Sequence, residues 1–385
     1  MDIEIAKSDL EKALSVASIA VESSGSRPIM QHYTFRVKDG STQVLSVGER
    51  IFSLSPLVAN VTGDDGDAFT IEAWRLDKWV NGVGDGVLKL SADGSGDVTA
   101  TGPRSRIRFR SLDPSDFPFW DNLEASAEEV GSIDPRLLNR ALGVSRWFVS
   151  ADDTSKPELC QVEARDGTLW ATDRRALSSV EVPALPGLNV RIPGKDVAAV
   201  VRFLGDKTTV EGGVVTVRSA SRPAEEGGGG HCTFLRKDGS YLGVTRPSTN
   251  FPPLQVNRDE EPGASFTLDC SEFERAIAVL SAGAPKGHQS VTFSYDDQEG
   301  TITLSMPSDA GGEDGYPLAL AKVKEGANWE NSFTVDYHYI TGIANTFGLD
   351  VLELGATKKG GGGFLSFKQD EDEGNRYYSV VVWRN

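Results

Sequence analysis

Lys12, Arg140 and Arg275 occupy one position of a segment that is written three times along the chain. The copies read Ile5-Ala-Lys-Ser-Asp-Leu-Glu-Lys-Ala-Leu14, Ile133-Asp-Pro-Arg-Leu-Leu-Asn-Arg-Ala-Leu142 and Leu268-Asp-Cys-Ser-Glu-Phe-Glu-Arg-Ala-Ile277. In each, the cation precedes Ala and then Leu or Ile. Cations at a repeated position suit the binding of an anionic partner, not bond-breaking chemistry. Residues for the latter are not assembled anywhere in the sequence. His32, His231, His288 and His338 fall in unrelated contexts, and none forms an i,i+4 metal pair. Cys160, Cys232 and Cys270 are odd in number and lack metal spacing, which points to a reducing compartment, the cytoplasm. There is no Gly-x-Ser-x-Gly elbow and no Walker lysine. The acid pairs Asp64-Asp65, Asp296-Asp297 and Asp370–Glu373 lie in Gly-rich turns without calcium-loop spacing. The runs Gly227–Gly230 and Gly360–Gly363 do not lead into a helix, so they read as hairpin tips and not as phosphate cradles. The expectation is no enzyme, no metal and no cofactor.

The elements that carry the cations follow from periodicity. Leu10, Ala13, Leu14 and Ala17 recur with helical spacing, as do Leu138, Ala141 and Leu142, and Phe273, Ala276, Ile277 and Leu280. Ser8 with Glu11 and Ser271 with Glu274 fit capping boxes. In the second copy Asp134 caps and Pro135 takes the first helical position. A second helix follows in each third. Its stripes are Leu76, Trp79, Val80, Val83; Val197, Val200, Val201, Leu204; and Ile340, Ile343, Ala344, Phe347. Gly84, Gly205 and Gly348 come directly after, where a left-handed residue closes a helix. Between the helices lie alternating strands such as Tyr33–Val37, Thr42–Val47, Val87–Leu90, Val214–Arg218, Thr301–Ser305 and Tyr377–Trp383.

The period of about 130 residues is the size of a domain, far beyond a solenoid unit. We therefore expect an α+β protein of three tandem domains, 1–126, 127–259 and 260–385, each with two helices and roughly eight strands. Polar linkers are expected at 124–131 and 257–264. No apolar run is long enough to span a bilayer, and the N-terminus lacks a signal pattern.

The chain carries 39 Lys and Arg against 56 Asp and Glu, a net charge of −17. Taken as an average this disfavours nucleic acid, but binding depends on where the minority charge sits. At about 100° per residue, Lys12, Arg136, Arg140 and Arg275 point away from the apolar stripes of the first helices. Lys78, Lys195 and Arg202 do the same on the second helices, where the third copy offers only His338. Lys and Arg ordinarily occupy solvated helix faces; their recurrence at equivalent positions is what singles these out.

The triplicated two-helix domain, the closures Pro114-Ser-Asp-Phe-Pro118 and Pro247-Ser-Thr-Asn-Phe-Pro252, and Ala171-Thr-Asp-Arg-Arg-Ala-Leu177 together resemble the bacterial-type DNA sliding clamp, the beta subunit of DNA polymerase III. The resemblance covers the whole chain and implies a homodimeric ring, closed head to tail around double-stranded DNA, with helices lining the channel and sheets outside. It implies a processivity factor that tethers the replicative DNA polymerase and other clamp-binding-motif proteins and is opened by a clamp-loader ATPase. A ring acidic outside and basic within would reconcile the net charge with DNA. Arg27 matches a DNA-touching arginine of the family. Leu159, Thr172, Leu177 and Pro252 match an apolar pocket for partner peptides between the second and third domains, and Val380, Val381 and Arg384 match its other wall. The chain departs from the family at Arg174-Arg175-Ala176-Leu177, where Gly-His-Arg-Leu is usual, and at its Val-Val-Trp-Arg-Asn385 ending. Such departures suit a phage-encoded or paralogous clamp, which would work in the host cytoplasm if phage-encoded. The alternative is a clamp-fold scaffold that binds proteins without encircling DNA.

Overall fold

The computed structural model describes residues 1–24, 27–93, 96–118, 127–151, 154–205, 213–221, 230–246, 251–252, 254, 262–296, 300–319, 321–323, 332–359, 362–370 and 376–384. Among them stand six α-helices: α1 (Lys7–Ala17), α2 (Ala73–Gly82), α3 (Pro135–Ser145), α4 (Gly194–Leu204), α5 (Cys270–Gly283) and α6 (Tyr337–Phe347). They form three sequential pairs, and Lys12, Arg140 and Arg275 are each the sixth residue of the first helix of a pair.

Strand pairing repeats the same plan three times. The strand before the first helix pairs antiparallel with the strand after the second, as in Ile3 opposite Leu90, Ser132 opposite Thr216 and Leu268 opposite Leu352. After the first helix comes a three-stranded meander: His32–Lys38, Ser41–Val47 and Ile51–Pro56; Gln161–Arg165, Thr168–Thr172 and Ala176–Glu181; Ser290–Asp296, Thr301–Pro307 and Glu313–Leu318. After the second helix comes another: Val87–Ala92, Asp97–Gly102 and Ser105–Arg110; Val215–Ser221, Gly230–Arg236 and Tyr241–Arg246; Val351–Lys359, Gly362–Asp370 and Arg376–Arg384. Two joins link successive copies. Ile51–Pro56 pairs with Tyr241–Arg246, and Ala176–Glu181 pairs with Arg376–Arg384. In each join the last strand of a first meander meets the last strand of the next copy's second meander.

By compactness the chain separates into two units, one of residues 1–136, 190–192 and 198–248, the other of residues 137–189, 193–197 and 249–385. In the first, Leu10 and Leu14 of α1 and Leu76 and Val80 of α2 pack with Ile3, Ile5, Tyr33, Phe35, Leu88 and Leu90. Leu10 is fully buried, so truncating it to Ala would cost about 2–5 kcal/mol. In the second, Phe293 stacks on Phe333 at 5.1 Å and on Phe273 at 6.2 Å, tying α5 to the sheet. Strand Thr301–Pro307 buries Ile302, Leu304 and Met306 alternately, as a half-buried strand must. The same unit brings α3 close to α6. A Cβ at Gly342 would lie 2.5 Å from the Trp147 ring, so glycine is required there.

Several local expectations change. Neither capping box forms. Helix α1 begins one residue before Ser8 and its cap, Ala6, makes no side-chain bond. At α5 the cap is Asp269, which accepts from the Glu272 amide at 2.8 Å, while Ser271 is already helical and donates to Asp269. At α5 a carboxylate one residue before the helix had the prior claim on the orphan amides, as Asp336 does at α6 and Asp134 at α3. Gly205 (φ 86°) and Gly348 (φ 61°) are left-handed terminators, but α2 ends at Gly82 with extended Val83 bonding back to Trp79. In α4 it is Phe203 that is fully buried beside Val197, Val200 and Leu204, with Val201 half-buried. The linker expected at 124–131 includes part of strand Glu128–Ile133, which carries a bulge between Glu129 and Gly131. Residues 124–126 of it, most of 257–264, and residues 227–229, 360–361, 371–373 and 385 lie outside the described residues.

Candidate nucleic-acid interface and partner pocket

The helix geometry places most of the singled-out cations as periodicity requires. Lys12, Lys78, Arg136, Lys195, Arg202 and Arg275 are exposed, as is Arg27 just before the turn Pro28–Gln31. Arg140 departs from this. It is half-buried although it stands at the position of Lys12 and Arg275, because α3 is more enclosed than α1 or α5. Several of the cations are already engaged. The Lys12 ammonium lies 3.3 Å from Asp9, and Arg136 grips its own cap Asp134 at 2.5 Å. Exposed pairs of this kind stabilise by about 0–1 kcal/mol, so a phosphate can replace the carboxylate.

Arg202 belongs to a cluster within the first unit. Its guanidinium donates to Ser18 Oγ at 2.7 Å, at the end of α1. Nearby the buried Tyr33 hydroxyl donates to both Asp77 oxygens at 3.1 Å. Burial holds the Asp77 carboxyl above the usual carboxylate range, against the Tyr33 hydrogen bond and the charge of Arg202. Burial, and then the Asp77 charge, likewise raise the Tyr33 phenol. Arg202 thus helps to hold α1, α2 and the C-terminal part of α4 together. His338, the outward residue of α6, rests edge-on against the Trp147 ring at 4.7 Å.

The second unit contains a cavity of about 360 Å³ lined by Glu158, Leu159, Thr172, Arg174, Arg175, Ala176, Leu177, Pro252 and Leu254. Leu159, Thr172, Leu177 and Pro252, singled out in sequence, are brought together here. Val381 and Val380 pair in register with Ala176 and Leu177, so they stand on the strand beside the cavity. The side chains of Val380, Trp383 and Arg384 lie outside the described residues.

One wall of the cavity is the turn after Thr172, and its bonds are dense. Thr172 Oγ1 donates to the Ala176 carbonyl at 2.7 Å and accepts from the Arg174 amide at 3.1 Å. Asp173 accepts from the amides of Arg175 and Ala176 at 2.8 and 2.9 Å, and its other oxygen accepts from the Tyr339 hydroxyl at 2.5 Å. Within this lattice Arg174 is left-handed, with φ 77°, which costs a residue bearing a Cβ roughly 1 kcal/mol. Its guanidinium reaches Glu158 at 3.4 Å. Sequence reasoning did not find Glu158, Arg174, Arg175, Ala176 and Leu254 as lining residues. The Arg-Arg pair beside Thr-Asp was the available signal for two of them. Among the described residues no group of three or more His, Cys, Asp or Glu could hold a metal ion, and no helix is long and apolar enough to cross a membrane.

No family model and no curated protein sequence matches the chain. Solved structures do. A sliding clamp (DNA polymerase III subunit beta) from Bartonella birtlesii, bound to griselimycin, aligns with a TM-score of 0.80 at 17% identity, covering 100% of both chains. The beta subunit of the DNA polymerase of Streptococcus pyogenes aligns with a TM-score of 0.79 at 14% identity, again over 100% of both. A DNA polymerase sliding clamp from Caulobacter crescentus aligns at 20% identity with a TM-score of 0.75 and the same coverage. The three-fold strand and helix plan described above is therefore the fold of the bacterial DNA polymerase III beta sliding clamp, carried from one end of this chain to the other.

Proposed function

We propose that the protein is a DNA sliding clamp: three domains per chain, two chains closed head to tail around duplex DNA, without enzymatic activity. The observation that carries this is the pair of strand joins and the two edges they leave over. Ser105–Arg110 closes the second meander of the first copy, and Glu313–Leu318 closes the first meander of the third; each ends its sheet. Their equivalents in the other copies are the strands that join. A repeat of the same join between chains would pair one molecule's Ser105–Arg110 with another's Glu313–Leu318, and two such joins close a dimer.

The surface chemistry of the two edges supports this pairing. Arg104, Arg106, Arg108 and Arg110 are exposed along one edge, and Glu313 and Asp314 along the other. The tenth residue of the first helix is valine in every copy. Val16 and Val144 are buried, at 6% and 0% exposure, whereas Val279 is 56% exposed beside the free third-copy edge. An interchain join would cover it.

On this reading the outward cations of the helices contact phosphates loosely and read no bases, which permits sliding. The cavity around Leu159 and Leu177 receives short peptides of partners, among them a replicative polymerase and a clamp-loader ATPase, in the cytoplasm. The test is retention on DNA by topology. The loaded protein should stay on a closed circle and be lost when that circle is cut; equal loss from both would end the proposal. A protein-binding scaffold is the second reading, favoured by the engaged His338 and the enclosed Arg140. It requires that reversing the charge of the exposed helix cations leave DNA association unchanged.

A further inference from the structure

We propose that Trp74 and Arg75, at the start of α2, form a stacking site for an unpaired nucleobase, so that the protein holds single-stranded DNA at this point as well as duplex. The inference rests on reading the outward helix faces as a DNA surface, and adds a contact to bases that the cations there do not make. Of the tryptophans whose side chains are described, Trp79, Trp147 and Trp170 are half-buried, whereas Trp74 is 56% exposed. Its place on α2 is not that of a core residue. Leu76 and Val80 are buried, and at about 100° per residue Trp74 lies with Lys78 on the opposite side of the helix. An indole there contributes little to packing the helix onto its sheet.

The ring is held as a stacking surface needs it. Trp74 Nε1 donates to Glu72 Oε1 at 2.7 Å, and Arg75 Nε lies 2.6 Å from the other Glu72 oxygen. One carboxylate thus fixes both groups, and the Arg75 guanidinium stands over the Trp74 ring, 5.3 Å from its centroid. Because the indole N–H is already satisfied, what the ring still offers is its open π face. Nucleobases stack on such a face whatever their identity, provided that they are not already stacked within a duplex. The phosphates flanking that base would meet exposed cations, Arg75 and Lys78 on α2 and Arg27 nearby. Glu72 pairs in register with His32, whose Nδ1 donates to the Pro28 carbonyl at 2.8 Å, so the turn that follows Arg27 stands beside the site. Three exposed cations around one ring suit an anionic polymer better than an apolar peptide.

The test follows the anisotropy of labelled DNA with the full-length protein, comparing a blunt duplex, the same duplex with a single-stranded thymidine tail, and the tail alone. The parent should bind the tailed duplex at least about fivefold tighter than the blunt one. Trp74→Ala should abolish that difference and Trp74→Phe should keep part of it. Neither should change Tm or the affinity for the blunt duplex. The ratio of parent to Trp74→Ala affinity for the tail should hold as salt rises, because stacking, unlike phosphate contact, releases no counterions. Equal binding of tailed and blunt duplex by the parent, or a tail preference that survives in Trp74→Ala, overturns the stacking site and leaves the duplex reading intact. If the tail binds through Trp74 and the blunt duplex does not bind, the stacking site stands and the duplex reading falls. If no DNA binds, both fall, and Trp74 is left to an apolar partner.

Discussion

The Tyr339 hydroxyl, at the start of α6, donates to the Asp173 carboxylate, which in turn caps the turn that presents Arg174 and Arg175. One phenol therefore connects a helix of the third copy to the rim of a cavity built mainly from the second. Burial and the Asp173 hydrogen bond both raise the Tyr339 phenol, so it remains a donor throughout the physiological range. Tyr339→Phe should cost about 1–2 kcal/mol of stability, because a charge-assisted bond is lost while Asp173 keeps its two amides. Binding of a partner peptide in the cavity should weaken with it, measured by titration calorimetry. A variant that melts like the parent and binds as well would show that the turn stands unaided.

Val279 offers a test of assembly that does not depend on DNA. Val279→Asp should yield a folded species with the single-chain mass of 41.4 kDa in analytical ultracentrifugation, where the parent should sediment as a dimer. The equivalent change at buried Val16 should instead destabilise the fold by roughly 3 kcal/mol or more. Equal dimer mass for Val279→Asp and the parent would remove Val279 from the interface.

Asp336 gives a pH prediction. Burial, partly offset by the hydrogen bond from the His338 amide, raises its carboxyl above the ordinary value of 3.8. The folded state then holds a proton that the unfolded chain has released, so stability falls as pH rises from 3.8 through the raised value and stays reduced above it. Asp336→Asn keeps a capping acceptor for His338 and removes the charge. Thermal melts should show the variant to be the more stable protein at pH 7 and to have no advantage at pH 3. An advantage at both would mean that charge is not the cause.

Simultaneous charge reversal at Lys12, Arg136 and Lys195 should weaken duplex binding without regard to sequence. The slope of log affinity against log salt should become shallower by about 0.9 for each phosphate contact removed. Arg202→Ala should behave differently, lowering Tm as well, since Arg202 also holds Ser18 and faces Asp77. Fluorescence anisotropy with labelled duplexes at several salt concentrations measures both. An unchanged slope for the triple variant would favour the scaffold reading.

Much of this protein was legible along the chain. Helical and strand periods are local, so the three helix pairs and the alternating strands could be read from apolar spacing alone. A repeat shared by Lys12, Arg140 and Arg275 likewise marks equivalent positions whatever the packing. Capping was half legible: Asp134 could be read as a cap, but Asp269 takes the place expected for Ser271, because the winner depends on where the strand stops. Only the tertiary structure decided the rest. Partial burial of Arg140 but not Lys12, exposure of Val279 but not Val16, and the meeting of Leu159, Leu177 and Pro252 are properties of which surfaces another element covers. The turn around left-handed Arg174 belongs with them, since Tyr339, far along the chain, donates to the Asp173 carboxylate that caps it. A sequence carries its own periodicity, but coverage and strain arise between segments, where energies of a few kcal/mol depend on neighbours that only folding supplies.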